Sequence, residues 1–222
     1  MKGKVIVMKI LVLIYPLFSM QEVSCLTEII GINGIEITTC SYSREPVKTE
    51  DGFWVLPDCT CSETNPLDYN CVILPGMTLF PNVLKHHEYT DLLSQLQGHP
   101  EVLIAAISCA PVLLAKAGLL ENRRFCGGLY KEVLRDLSFI NEENFVPAAI
   151  YEDDNIITAL GFAYREFAFL VADRLNLEFE RSYFGPLAEN WDGVSFTWDM
   201  DEENLRSWEE GLSELKRLQI TD

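Results

Sequence analysis

Short runs of unbroken apolar residues, spaced along the chain and separated by helical patterns, constrain this sequence most. Ile10 to Ile14, Cys71 to Leu74 and Val102 to Ala106 carry no polar alternation. A strand with one wet face alternates, so unbroken runs of this length belong to strands covered on both sides. Strands alternating with helices are the pattern of βαβ units around a parallel sheet. The expected order is a strand at 10–14, a helix at 20–32 stopped by Asn33-Gly34, and a strand at 35–40. A hairpin around 53–56, a strand at 71–74 stopped by Pro75-Gly76 and a helix at 83–96 follow. Next come a strand at 102–106, a helix at 111–117 and a short strand at 123–126. Runs at 148–151 and 156–159 flank the turn at 152–155. Ala163, Phe167, Leu170, Val171 and Leu175 share one helix face, as do Leu205, Trp208, Leu212, Leu215 and Leu218 in a terminal helix beginning near Asp201.

Composition narrows the function. The 222 residues carry 34 acidic and 17 basic side chains, a formal net charge of −17. Nucleic acid and anionic membranes need a basic face, so neither is expected as a partner, and a small molecule is. Seven cysteines, an odd number without a dense framework, point to free thiols in a reducing cytoplasm rather than a disulfide scaffold. Cys59-Thr60-Cys61 lacks the second pair that a zinc site needs, so no metal and no cofactor are expected. The N-terminal Lys2, Lys4 and apolar stretch resemble a leader only superficially, because Lys9 interrupts them and no small-residue cleavage site follows. Met8 is an alternative start.

In an open parallel sheet the chemistry sits at the carboxyl ends of the strands. Residues 105–111, AAISCAP, turn from a buried strand straight into a helix, a geometry that raises one side chain above the sheet. Around it the chain resembles the DJ-1/ThiJ/PfpI superfamily, which is related to the class I glutamine amidotransferases. The motifs are DYNCVILPG at 68–76, IAAISCAPVLLAKAGLLENRR at 104–124, ITA at 157–159 with EFA at 166–168, and Glu22 after the first strand. The resemblance spans about residues 8–177. It implies a three-layer α/β/α flavodoxin-like sandwich with a mostly parallel sheet, as residues 1–177 with a C-terminal extension, 178–222, packed on the same domain.

The resemblance also implies a nucleophile-elbow enzyme acting on a small carbonyl or amide compound, with hydrolase, amidotransferase-like or glyoxalase-like ancestry, and a homodimer. Counted without gaps from Ala117-Gly118, the family cysteine falls on Ser108; a one-residue slip places it on Cys109. The implied catalytic set is therefore Ser108, Cys109 and Glu22, with Gly76, Met77 and Ala110 as oxyanion or binding positions. Two departures stand out: Gly128 occupies the place of the usual histidine, and Met77 replaces the second glycine of the Pro-Gly-Gly turn. A serine needs an adjacent base, and His86, His87 and His99 are the only histidines available to supply one. The alternative is a catalytically degraded, stress-related or ligand-binding protein that keeps the fold. Trp191, Trp198 and Trp208 are expected to pack the extension onto the domain.

Overall fold

The structure is a computed structural model that describes residues 8–185, 187 and 192–218. Seven strands form one sheet: β1 Ile10–Leu13, β2 Ile37–Ser41, β5 Cys59–Thr60, β6 Cys71–Leu74, β7 Leu103–Ile107, β8 Ile150–Asp153 and β9 Ile156–Ala159. Their order is β5-β2-β1-β6-β7-β9-β8, parallel throughout except for the antiparallel β8–β9 hairpin at one edge. A separate two-stranded hairpin pairs β3 Val47–Lys48 with β4 Trp54–Val55. The central strands β1, β6, β7 and β9 are buried at every position, as continuous apolar runs require.

The chain leaves β1 toward β2 in one direction and β6 toward β7 in the other. Right-handed crossovers then put the connecting helices on opposite faces. On one face α1 Gln21–Ile32 packs against α6 Tyr164–Arg174; on the other, α3 His87–Ser94 packs against α4 Pro111–Lys116. This is the three-layer, mostly parallel flavodoxin-like sandwich. The strand order reverses between β1 and β6, where such sheets open a crevice at their carboxyl ends.

The helix expected over 83–96 is broken. A short helix, α2 Phe80–Val83, ends before His86, whose ring stacks on Tyr42 at 3.8 Å, and α3 begins one residue later. Holding that stack takes His86 out of helical geometry, to φ −100° and ψ 88°. The strand expected at 123–126 is reduced to a single bridge between Phe125 and Phe145, because the segment faces a loop rather than a strand. Neither the two-residue β5 nor α5 Lys131–Asp136 is expected from the sequence.

The terminal helix, α7 Glu202–Arg217, is capped by the Asp201 side chain, which accepts from Asn204 N–H at 2.8 Å. It buries Trp208, Leu212 and Leu215, while Leu218 beyond its end stays exposed. Trp208 packs against Phe80 and donates its indole N–H to Asp136, and Lys85 pairs with Glu214 at 3.0 Å. Trp191 lies outside the described residues; Trp198 pairs with Tyr130 in an isolated bridge. No helix among the described residues is long and apolar enough to cross a membrane.

Candidate active site

Three loops meet at the carboxyl edge of the sheet. Leu17 N–H donates to Lys48 O, Thr78 N–H to Leu17 O, and Ser19 N–H to Gly76 O at 2.9 Å. These bonds lace the β1–α1 loop to the β6–α2 loop and fix where α1 begins. Glu22, in the first turn of α1, therefore points across the sheet toward the end of β7. Its carboxylate accepts from Gly76 N–H at 2.8 Å and from the Ser108 hydroxyl.

Ser108 is the turn residue between β7 and α4. Its φ is +62°, the left-handed region that costs a residue with a Cβ about 1–2 kcal/mol. The surroundings hold it there. Ser108 N–H donates to Ala159 O at 2.7 Å, and Ser108 O accepts from Gly128 N–H at 2.8 Å. This is backbone strain at a position that raises a hydroxyl above the sheet, the pattern of a nucleophile elbow.

Glycines form a collar around this pair. A Cβ on Gly76 would stand 2.5 Å from Ser108 Cβ and 2.8 Å from Ser108 Oγ, besides colliding with the Glu22 carboxylate. A Cβ on Gly161 would also strike that carboxylate, and one on Gly127 would come within 2.8 Å of Ser108 O. Gly128 differs: its Cβ would meet Ser108 Oγ at 3.5 Å, ordinary contact.

Burial pushes the Glu22 carboxyl up to about 7, with repulsion from Glu50 adding to it, while the donations from Ser108 and Gly76 oppose the rise. A carboxylate of that basicity, bonded to a hydroxyl, is half deprotonated at neutral pH and suited to proton transfer.

Cys109 sits differently. Its S–H donates to Met77 O at 3.0 Å and its sulfur accepts from Met77 N–H at 3.4 Å. The thiol is buried, and burial together with the Glu22 charge pushes it up to about 12, though the Met77 N–H opposes the shift. It is a neutral packing thiol, held under the elbow.

Of the other expected positions, Gly76 N–H is committed to Glu22, Met77 N–H to Cys109, and Ala110 N–H to Ile107 O at 3.1 Å. None of the three histidines has the elbow among its contacts. His86 stacks on Tyr42, His87 pairs with Asp91, and His99 pairs with Glu101 beyond the opposite end of β7. Tyr15, which the sequence reading did not single out, closes the floor. It is fully buried at the end of β1 and donates its hydroxyl to Pro75 O, one residue before the glycine that holds Glu22. A tyrosine ending an apolar strand was the available signal. Among the described residues no group of three or more His, Cys, Asp or Glu side chains is arranged to hold a metal.

The fold agrees with the comparisons. Residues 8–174 match the DJ-1/PfpI family, and the chain belongs to that family. It is 26% identical over 170 residues to Protein dj-1beta of Drosophila melanogaster, covering 74% of this chain and 88% of the relative. It is likewise 26% identical over 150 residues to a deglycase of Pyrococcus abyssi, covering 66% and 80% of the two chains. Among solved structures, a DJ-1 superfamily protein of Agrobacterium tumefaciens superposes with a TM-score of 0.70 at 20% identity, covering 80% and 94%.

Proposed function

We propose that this chain is a small-molecule hydrolase of the DJ-1/PfpI type, acting on a carbonyl or amide compound through Ser108. The observation that carries this reading is a strained serine whose hydroxyl donates to a carboxylate titrating near neutrality. In the reaction, Ser108 Oγ attacks the substrate carbonyl carbon and its proton passes to Glu22. The tetrahedral adduct collapses to an acyl-serine, the leaving amine or alcohol taking the proton back from Glu22. Water then adds to the acyl group with Glu22 again accepting a proton, and Ser108 is released. The names of relatives, an archaeal deglycase and an uncharacterized protease of Bacillus subtilis among them, support a hydrolase-type reaction.

A second reading, a ligand-binding protein that keeps the fold without turnover, is favoured by the engagement of all three histidines elsewhere and by the locked Cys109. Steady-state assays with p-nitrophenyl acetate and with p-nitroacetanilide separate the two. Ser108→Ala and Glu22→Gln should each lose at least about 100-fold in kcat/KM, and Cys109→Ala should stay within a few-fold of the parent. The wild-type rate should rise as pH passes about 7, where Glu22 loses its proton, and that ionisation should vanish in Glu22→Gln. Full activity in Ser108→Ala would end the serine reading; a parent without turnover but with saturable binding would select the second.

The partner proposed beside the substrate is a second copy of the chain. Phe53, Trp54 and Leu56 stand exposed on the β3–β4 hairpin, Trp54 at 66%, beside an apolar hollow lined by Val12, Ile14, Phe18, Val23 and Ile37. Sedimentation at micromolar concentration should give a dimer, and Trp54→Glu a monomer. A wild-type chain sedimenting at 25 kDa would refute it.

A further inference from the structure

Three of the seven cysteines converge at the far edge of the sheet, away from Ser108. Cys40 lies one residue before the end of β2, Cys59 begins β5, and the two are partners in the parallel ladder; Cys61 opens the turn Cys61–Glu63 that follows. Cys40 Sγ lies 3.7 Å from Cys61 Sγ and donates its proton toward it. The Thr64 hydroxyl lies between the remaining sulfurs, 3.1 Å from Cys59 Sγ and 3.7 Å from Cys40 Sγ. None of these contacts serves the elbow, and two of the thiols come from the Cys-Thr-Cys motif that the proposed chemistry leaves unused.

The three sulfurs differ in access. Cys40 is wholly buried. Cys61 is also buried, at 4% exposure, but lines the wall of a surface cavity of about 430 Å³, together with Thr64, His87, Asp91 and Leu92. Cys59 is half-buried, with its S–H directed at Thr39 O. The thiol beside the cavity is thus the one that receives a hydrogen bond from a second thiol. The thiolate is the form that reacts with oxidants, and Cys40, in contact with the Cys61 sulfur, is placed to react next.

We propose that Cys61 and Cys40 form a peroxide-oxidised dithiol, a modification site at the sheet edge in which Cys61 is attacked first and Cys40 resolves it. Cys61 thiolate attacks one oxygen of a hydroperoxide; an S–O bond forms, the O–O bond breaks, and hydroxide or alkoxide leaves and is protonated. Cys61 is now a sulfenic acid, and the peroxide has been reduced. Cys40 then attacks the Cys61 sulfur; the S–S bond forms, the S–O bond breaks, and the departing hydroxide takes the Cys40 proton to leave as water. Two thiols and one hydrogen peroxide give one disulfide and two waters. The sulfurs must close from 3.7 Å to about 2.05 Å. The side that moves is Cys61, in a short turn beyond an edge strand held by only two ladder positions.

The test treats the full-length reduced chain with one equivalent of hydrogen peroxide, blocks remaining thiols with N-ethylmaleimide, and maps peptides without reduction. The expected product is a Cys40–Cys61 linkage with a loss of two hydrogens, reversed by dithiothreitol. Cys59→Ser should form the same linkage at a rate within about two-fold. In Cys40→Ser, dimedone should trap a sulfenic acid on Cys61. Should that variant fail to fold, the wild-type peptide map decides alone. A Cys40–Cys59 or Cys59–Cys61 linkage, oxidation confined to Cys109, or Cys61 reacting no faster than the buried Cys71 would overturn the proposal.

Discussion

The centre and the edge of the sheet treat the same element in opposite ways. At the centre, Cys109 adjoins the elbow yet is clamped by both backbone groups of Met77, and burial keeps it protonated. The neighbouring hydroxyl, a weaker nucleophile by nature, holds the strained position and the basic carboxylate. At the edge, Cys61 has another thiol for a hydrogen-bond donor and a cavity beside it. What surrounds each sulfur or oxygen, not the residue type, separates the two regions. The central thiol is held by backbone groups; the edge thiol is held by another side chain.

The largest effect that would break this contrast is Gly76→Ala. The added methyl meets Glu22 and Ser108 together, and neither can retreat without giving up the other. A cost of about 3 kcal/mol is expected from the overpacking, read as a fall in the urea midpoint, with activity lost alongside. Gly31→Ala in α1, where a Cβ meets nothing within 4 Å, should instead gain about 0.5–1 kcal/mol.

Next in size is the pH dependence of Glu22. Its folded-state value of about 7 lies above the ordinary 4.5, so the fold favours the protonated form. That contribution is fully present below about pH 4.5 and is lost as pH rises through 7. Glu22→Gln mimics the protonated form. Its stability relative to the parent should therefore improve between pH 5 and pH 8 by about 1–3 kcal/mol, measured by denaturant titration at each pH. A difference that stays flat over this range would show that Glu22 is not held near neutrality.

The smallest effect isolates the backbone. Ser108→Gly and Ser108→Ala both remove the hydroxyl, but only glycine sits at φ +62° without strain. Glycine should be the more stable variant by about 0.5–1 kcal/mol, the reverse of its order at an ordinary position. Equal midpoints for the two would mean the elbow is not strained.

Much of this architecture was legible because it rests on continuous patterns. Cys71 to Leu74 is a strand at the residues expected, and α1 begins within one residue of its expected start. What escaped was set by partners distant in sequence or by elements too short to have a period. Nothing near residue 86 announces that Tyr42 will stack on it and interrupt a helix. In α5 only Val133 and Leu134 are buried over six residues, which is no pattern at all, and β5 has only two residues. Within the site, the strand-to-helix turn marked residues 108 and 109 as candidates, but choosing between them required geometry. The backbone conformation at 108 and the clamp on Cys109 by Met77 are tertiary facts.

The open position in the glycine collar bears on how readily this site can change. A Cβ at Gly76, Gly127 or Gly161 would collide with Glu22 or Ser108, yet one at Gly128 would stand beside the Ser108 hydroxyl at ordinary contact distance. A side chain entering at Gly128 would approach the serine with the carboxylate already bonded to it. The backbone at Gly128 leaves room for the first carbon of such a side chain, so the collar is open at the one point where a third catalytic group would enter.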